Sequence, residues 1–433
     1  MVIKNIIDRY YRTQFQKNII RSSIVFGINT LFIFISYPVY IHYLGVELFA
    51  IWSLLAIIIS FAELGNFGIG NAIVTYVAEE KVKGNSCMIL SYFSNSVYII
   101  LFSFIIIVPV FLLLGKNLCQ LVGIPASYFD MVIPMLPFLI VIVFQYLLND
   151  ILKAVLTGIG RLDLSNILFV GSNVLKLFIA IICFLFGMQL WGMLLSICIA
   201  NFCLSIIYTM ILYKSGLYLA YFQSYRYDIV KRLISYGGKM IGIQILNMLM
   251  MPVCKIFLAR INLSSVTYFE IASKVVYAIR GVFEKGIYAI LPKVSEMIAT
   301  NVDSRCQIRL LNKRIAIRMM FFVIPTSVIL GIFSPFWMKW WLVSKYDSSI
   351  SICFNIIQVG MLVGLYALPY YYSYLGIGKE NLCFKEALIR VLLNVSLVFL
   401  LSILSIDNPL WVYIIFSFST VISNIYILSK ADS

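Results

Sequence analysis

Charge is scarce in this chain. Only 12% of its 433 residues are Asp, Glu, Lys or Arg, about half the share that keeps the surface of a soluble protein wet. His42 is the one histidine, which excludes a multi-histidine metal centre. The nine cysteines show no CxxC and no paired spacing; Cys183, Cys198 and Cys203 lie inside apolar runs and read as small hydrophobic side chains. There is no GxSxG, no Walker-type lysine motif and no HExxH, so neither catalysis nor a nucleotide, metal or other cofactor is expected. A cleavable leader is not expected either, because Lys4, Arg9, Arg12, Lys17 and Arg21 lead straight into a stretch of full spanning length.

Apolar side chain fills the space that charge leaves. Hydrophobic residues make up 62% of the chain, against roughly 45–50% in a globular protein, and the mean hydropathy is +0.99. A soluble fold of this length could not cover so much apolar surface with polar groups. The solvent for most of the chain is lipid.

A membrane-spanning helix needs about 20 mostly apolar residues. Twelve such stretches lie between charged or turn residues, near 20–43, 49–78, 87–114, 131–157, 165–187, 190–213, 233–258, 266–292, 315–339, 351–375, 382–404 and 409–429. They predict an all-α polytopic membrane protein of twelve transmembrane helices, with short connections and no extramembrane domain. With the N-terminus in the cytoplasm, only Lys116, Arg260, Lys339 and Lys345 fall on the outer side, a positive-inside bias that puts both termini in the cytoplasm. Loop topology thus accounts for the net charge of +15, and no nucleic-acid partner is expected.

A polar linker around Lys214–Arg232 marks the midpoint and predicts lobes 1–220 and 221–433 of six helices each. The stretch from Ala72 to Glu79 (AIVTYVAE) pairs with the stretch from Ala289 to Glu296 (AILPKVSE), and Pro38-Val39 with Pro252-Val253. Because six spans separate the copies, the repeat is parallel, with a pseudo-twofold axis along the membrane normal. Prolines at 38, 109, 134, 137, 252, 325 and 369 fall within spans and are expected to kink them.

Ionisable groups inside a bilayer are costly and usually face a bundle interior or a cavity. Those in the spans are Glu63, Asp150, Lys153, Lys176, Lys239, Lys255, Glu270, Lys274, Arg280, Glu284 and Lys285, with bases outnumbering acids. Glu270, Lys274, Arg280, Glu284 and Lys285 share one helical arc, with Glu270–Lys274 and Arg280–Glu284 as i,i+4 pairs. Gln145, Asn149, Asp150, Lys153 and Thr157 share another; Asn166, Asn173 and Lys176 lie on a common side of the next span. The lysines and Arg280 are therefore candidates to line a cationic cavity for an anionic, hydroxyl-rich molecule such as a phosphate-linked sugar. Glu63, Asp150 and Glu270 are candidates to take up a coupling ion. Charge reversal at Lys255 or Lys285 is expected to abolish transport while leaving the protein in the membrane.

The stretch YLGVELFAIWSL, from Tyr43 to Leu54, followed by FAELGNFGIGNA, from Phe61 to Ala72, resembles the N-terminal signature of the Wzx-type polysaccharide flippases of the multidrug/oligosaccharidyl-lipid/polysaccharide exporter superfamily. The resemblance implies two six-helix lobes around a cationic cavity. It implies passage of an undecaprenyl-pyrophosphate-linked oligosaccharide, such as an O-antigen repeat unit, from the cytoplasmic to the periplasmic leaflet of the bacterial inner membrane, with proton or sodium antiport. Membrane lipids, a polysaccharide polymerase and a chain-length regulator are the implied partners. Many relatives carry an aspartate in a D-L-G-like stretch where this chain has Asn66, which leaves Glu63 as the nearby carboxylate. Two other readings stay open: a drug or cation antiporter, which needs an acidic cavity, and a membrane-embedded polymerase, which needs a large outer loop.

Overall fold

The computed structural model describes residues 2–218, 222–287, 294, 304–377 and 379–430, with side chains from residue 27 onward except at 33, 237–241, 243, 244, 285, 286, 304–306 and 380. Every regular element among them is helical. The first part of the chain forms α1 (Val2–Glu63), α2 (Ile69–Val82), α3 (Ser86–Leu113), α4 (Gly115–Leu121), α5 (Phe129–Val132), α6 (Leu136–Gly158), α7 (Leu162–Leu185) and α8 (Gln189–Lys214). The remainder forms α9 (Tyr227–Ile261), α10 (Leu263–Ile287), α11 (Ser304–Ile332), α12 (Ser334–Leu342), α13 (Ser348–Gly376), α14 (Glu380–Ile403) and α15 (Pro409–Ser429).

Nine stretches among the described residues are long and apolar enough to cross a bilayer. The first of these, Gly27–Val82, has 56 residues, more than twice a span of about 20. Gly45, at φ 75° and ψ 175°, breaks it, so it supplies two spans. Helices α9 and α10 have 35 and 25 residues, long enough to span; α9 is apolar through its membrane half, with Lys255 as the charge between Ile241 and Leu258, while α10 carries Glu270, Lys274, Arg280 and Glu284. Nine, one more from the break, and these two make twelve. The protein is an all-α polytopic membrane protein with twelve transmembrane helices in two six-helix lobes. Faces that would be unstable in water, such as Phe102, Ile105 and Ile106 on α3, are exposed as lipid contacts.

The chain divides into two compact units. Unit 1 comprises residues 1–39, 56–120 and 125–241; unit 2 comprises 40–55, 121–124 and 242–433. In unit 1, α6 packs against α2, α3 and α8, and α7 against α8. In unit 2, α13 is the central helix, packed against α10, α11 and α15, while α14 covers α15. Short polar side chains start several helices: Asn85 accepts from the Met88 N–H at 3.2 Å, and Asp347 from the Ser349 N–H at 2.8 Å.

Five of the seven intramembrane prolines lie inside helices: Pro38, Pro109, Pro252, Pro325 and Pro369. Pro134 and Pro137 instead sit in the first turns of a 3-10 turn and of α6, where the missing N–H costs nothing. The ninth span, expected to reach residue 339, stops at Ile332, and α12 begins anew with Pro335 in its first turn. The second repeat copy, 289–296, lies outside the described residues apart from Val294.

The glycine-rich segment after Glu63 breaks the second span within its length. Residues 64–66 form a 3-10 turn, and Phe67 (φ 48°) and Gly68 (φ 66°) are both left-handed before α2 resumes. Freed backbone groups in a bilayer must find partners. The Asn66 Oδ1 accepts the Gly68 N–H at 2.8 Å, and Ser103 Oγ donates to the Gly65 carbonyl at 2.7 Å. Farther along, α2 and α6 touch at Gly158, where an added Cβ would lie 2.7 Å from Val77 Cβ and 3.0 Å from the Val74 carbonyl. Gly158→Val is therefore expected to force the two helices apart at a cost of about 1–3 kcal/mol, read as earlier thermal unfolding in detergent; an unchanged transition would show that the contact yields freely.

Candidate functional site

Polar groups gather in two places, one in each unit. In unit 1 the broken second span meets α6: Asn66 Nδ2 donates to Asp150 Oδ2 at 2.9 Å. A Cβ on Gly70 would sit 2.9 Å from that oxygen, so only glycine lets the carboxylate approach. Glu63 ends α1 just before the break, within electrostatic reach of Asp150 and Lys176. Lys176 places its ammonium over the Tyr146 ring at 5.4 Å, and Lys153 over Phe169 at 5.2 Å. Such cation–π contacts stabilise an ammonium without cancelling its charge. Neither lysine is ion-paired among the described residues.

The arc predicted on the fourth span divides between two neighbours. Gln145 contacts Cys198 Sγ at 3.6 Å, while Asn149 donates to the Asn201 carbonyl at 3.0 Å and accepts from Ser205 Oγ at 2.8 Å. These amides fasten α6 to α8, and Asp150 turns instead to the broken span. Asn173 likewise reaches Asn29 Oδ1 on α1, at 2.7 Å. An arc that wide touches two helices.

Unit 2 holds the other candidates. Lys255 on α9 meets Glu270 on α10 at 2.5 Å, both side chains only 9% exposed, and Lys274 stands 3.8 Å from the same carboxylate. Lys255 is thus neutralised in place. Arg280 Nε lies 3.5 Å from Glu284 of its own helix, while Tyr372 donates to the other Glu284 oxygen at 2.8 Å. The side chains of Lys239 and Lys285 lie outside the described residues.

Arg280 and Glu284 open onto a cavity of about 260 Å³ that α14 closes with Glu386 and Arg390. Arg390 is 3.6 Å from Glu386 and donates to Asn247 Oδ1 on α9; Glu386 accepts from Ser423 Oγ on α15 at 2.7 Å. Tyr277, Tyr371 and Asn424 complete the polar wall. Sequence reasoning missed Glu386 and Arg390. Both lie within the predicted span 382–404, and their i,i+4 spacing on an apolar helix was the available signal.

The fold recurs in solved transporters. The inward-facing form of a multidrug resistance MATE family transporter of the MOP superfamily aligns with a TM-score of 0.80 at 13% identity, covering 95% of this chain and 94% of the other. The lipid II flippase MurJ, in an inward closed conformation, aligns with a TM-score of 0.71 at 17% identity over 95% and 88%. A MOP superfamily transporter from Pyrococcus furiosus, described as having a binding pocket of reversed polarity, aligns with a TM-score of 0.59 at 14% identity over 96% and 95%. At such identities the likeness shows the fold, that of MOP transporters. No curated protein matches the chain. The family model described as "Polysaccharide biosynthesis protein" matches residues 15–298, about two thirds of the sequence, and the chain belongs to that family.

Proposed function

We propose that the protein is a flippase that moves an undecaprenyl-pyrophosphate-linked oligosaccharide from the cytoplasmic to the periplasmic leaflet of the bacterial inner membrane by alternating access, coupled to proton or sodium antiport. The observation that carries the reading is a pair of lysines, Lys153 and Lys176, set among the membrane helices of a polysaccharide biosynthesis protein over aromatic rings and free of ion pairs among the described residues. An ammonium held this way stays available to a phosphate as a point charge. Lys239, Lys274 and Lys285 are further contacts for the passing headgroup, and Glu63 and Asp150 are the coupling carboxylates. Glu270 and Lys255 serve each other. A cation antiporter would need carboxylates in excess, whereas the unit 2 cavity matches two arginines with two glutamates.

Deleting the gene is expected to leave lipid-linked repeat units on the cytoplasmic leaflet, detected as glycan inaccessible to periplasmic ligase. Complementation with a Lys153→Gln/Lys176→Gln variant, present in the membrane at the normal level, is expected to restore about a tenth of the flux or less, a loss of about 1.4 kcal/mol or more in binding the headgroup. Normal flux through that variant would remove the lysines from the mechanism, and a deletion without accumulation would remove the flippase reading.

A further inference from the structure

We infer that the cavity of unit 2 is a glycan subsite, taking one sugar ring of the lipid-linked oligosaccharide while the pyrophosphate is held elsewhere; this rests on the flippase reading. Size is the first argument. About 260 Å³ lies just below the roughly 300–1,000 Å³ of pockets for drug-sized molecules. It admits a ring, not a repeat unit with its carrier.

Charge is the second argument. Arg280 and Arg390 are balanced by Glu284 and Glu386, so a pyrophosphate entering here would meet two carboxylates. The third is hydrogen-bond chemistry. The ion pairs at 3.5 and 3.6 Å are longer than the roughly 2.7–2.9 Å of a charge-assisted bond. Each glutamate is instead anchored by a hydroxyl, Tyr372 or Ser423, at 2.8 and 2.7 Å. Arg390 Nε is a buried donor without a hydrogen-bond acceptor among the described residues, and Arg280 Nε has only the long 3.5 Å contact to Glu284. Burying such donors is expensive unless a ligand or water completes them. Asn424 gives one amide N–H to the Thr420 carbonyl at 2.7 Å and keeps a second N–H and its oxygen among the groups that line the cavity. Planar donors and acceptors side by side match vicinal hydroxyls, which donate and accept at once. Tyr277 and Tyr371 add flat apolar faces for the C–H side of a ring.

The test uses the full-length protein in nanodiscs and two probes: the host strain's own undecaprenyl-pyrophosphate-linked repeat unit, and undecaprenyl pyrophosphate bearing no sugar. Wild type is expected to bind the glycosylated lipid about tenfold or more tightly than the bare one. Asn247→Leu, Asn424→Leu and Tyr277→Ala should bring that preference close to one by weakening the glycosylated lipid alone; three separate variants, each checked for monodispersity, guard against one that misfolds. A preference kept in all three, or a bare-lipid affinity that falls as far as the glycosylated one, would overturn the subsite. Wild-type protein that binds neither lipid would overturn the flippase reading itself.

Discussion

Glu270→Ala is expected to destabilise the protein by about 3–5 kcal/mol, the range for stripping one partner from a buried ion pair. Lys255 and Glu270 are 2.5 Å apart and 9% exposed, joining α9 to α10 inside unit 2. The variant leaves an ammonium in the packed interior with no counter-ion at contact distance, and Lys274 cannot help because it bears the same charge. Replacing both partners, as Lys255→Met/Glu270→Leu, removes the cost at its source, so the double variant should unfold close to the wild-type temperature. Thermal unfolding of purified protein in detergent reads the difference directly. Equal stability of Glu270→Ala and the double variant would mean that water reaches the pair. The same geometry alters the outcome of charge reversal at Lys255. That change would put two carboxylates at contact, so the expected loss of transport comes with a loss of folded protein.

The membrane architecture was legible because it rests on a coarse signal. Twelve apolar runs separated by charge survive any error of a few residues at their ends, and the hydrophobic thickness of a bilayer sets their length. Even α10, whose lysines, arginine and glutamates lower its apolar average, stood out by its flanks. Local consequences of proline were less legible, since the pattern alone does not tell an interior Pro252 from a first-turn Pro137. The break after Glu63 was foreseeable from Gly65, Gly68 and Gly70, but not the role of Asn66, which ties the broken backbone to Asp150.

Site residues were legible as a set and not as partners. Helical periodicity shows which side chains share an arc; it does not show which neighbour faces each part of it. Gln145 and Asp150 are five residues apart, and one turns to α8 and the other to the broken span. The pairing of Lys255 with Glu270 crosses from one helix to the next, where spacing along the chain carries no information. The i,i+4 pairs, Arg280 with Glu284 and Lys274 with Glu270, were visible in advance because they are local.

Asn66→Asp is expected to cut translocation about tenfold or more, through a change of one amide to a carboxylate. The Asn66 Oδ1 bond from the Gly68 N–H survives, because either side chain presents an oxygen there. What is lost is the Nδ2 donor that holds Asp150 at 2.9 Å. A hydrogen bond to a charged group is worth about 1.5–3 kcal/mol, and a second carboxylate adds repulsion in its place. Asp150 is then driven from the broken span, while Gly70, kept bare for its approach, faces empty space. The reciprocal variant Asn66→Asp/Asp150→Asn tests the geometry itself. The amide at position 150 can now donate to the carboxylate at 66, and the cluster near Glu63 and Lys176 keeps its charge. Translocation in the double variant should recover to within about threefold of wild type, a residual of under 1 kcal/mol. If Asn66→Asp alone transports normally, the amide does not hold Asp150 in the working protein. If the double variant folds but stays inactive, the coupling carboxylate must act from α6, and position 66 cannot stand in for it.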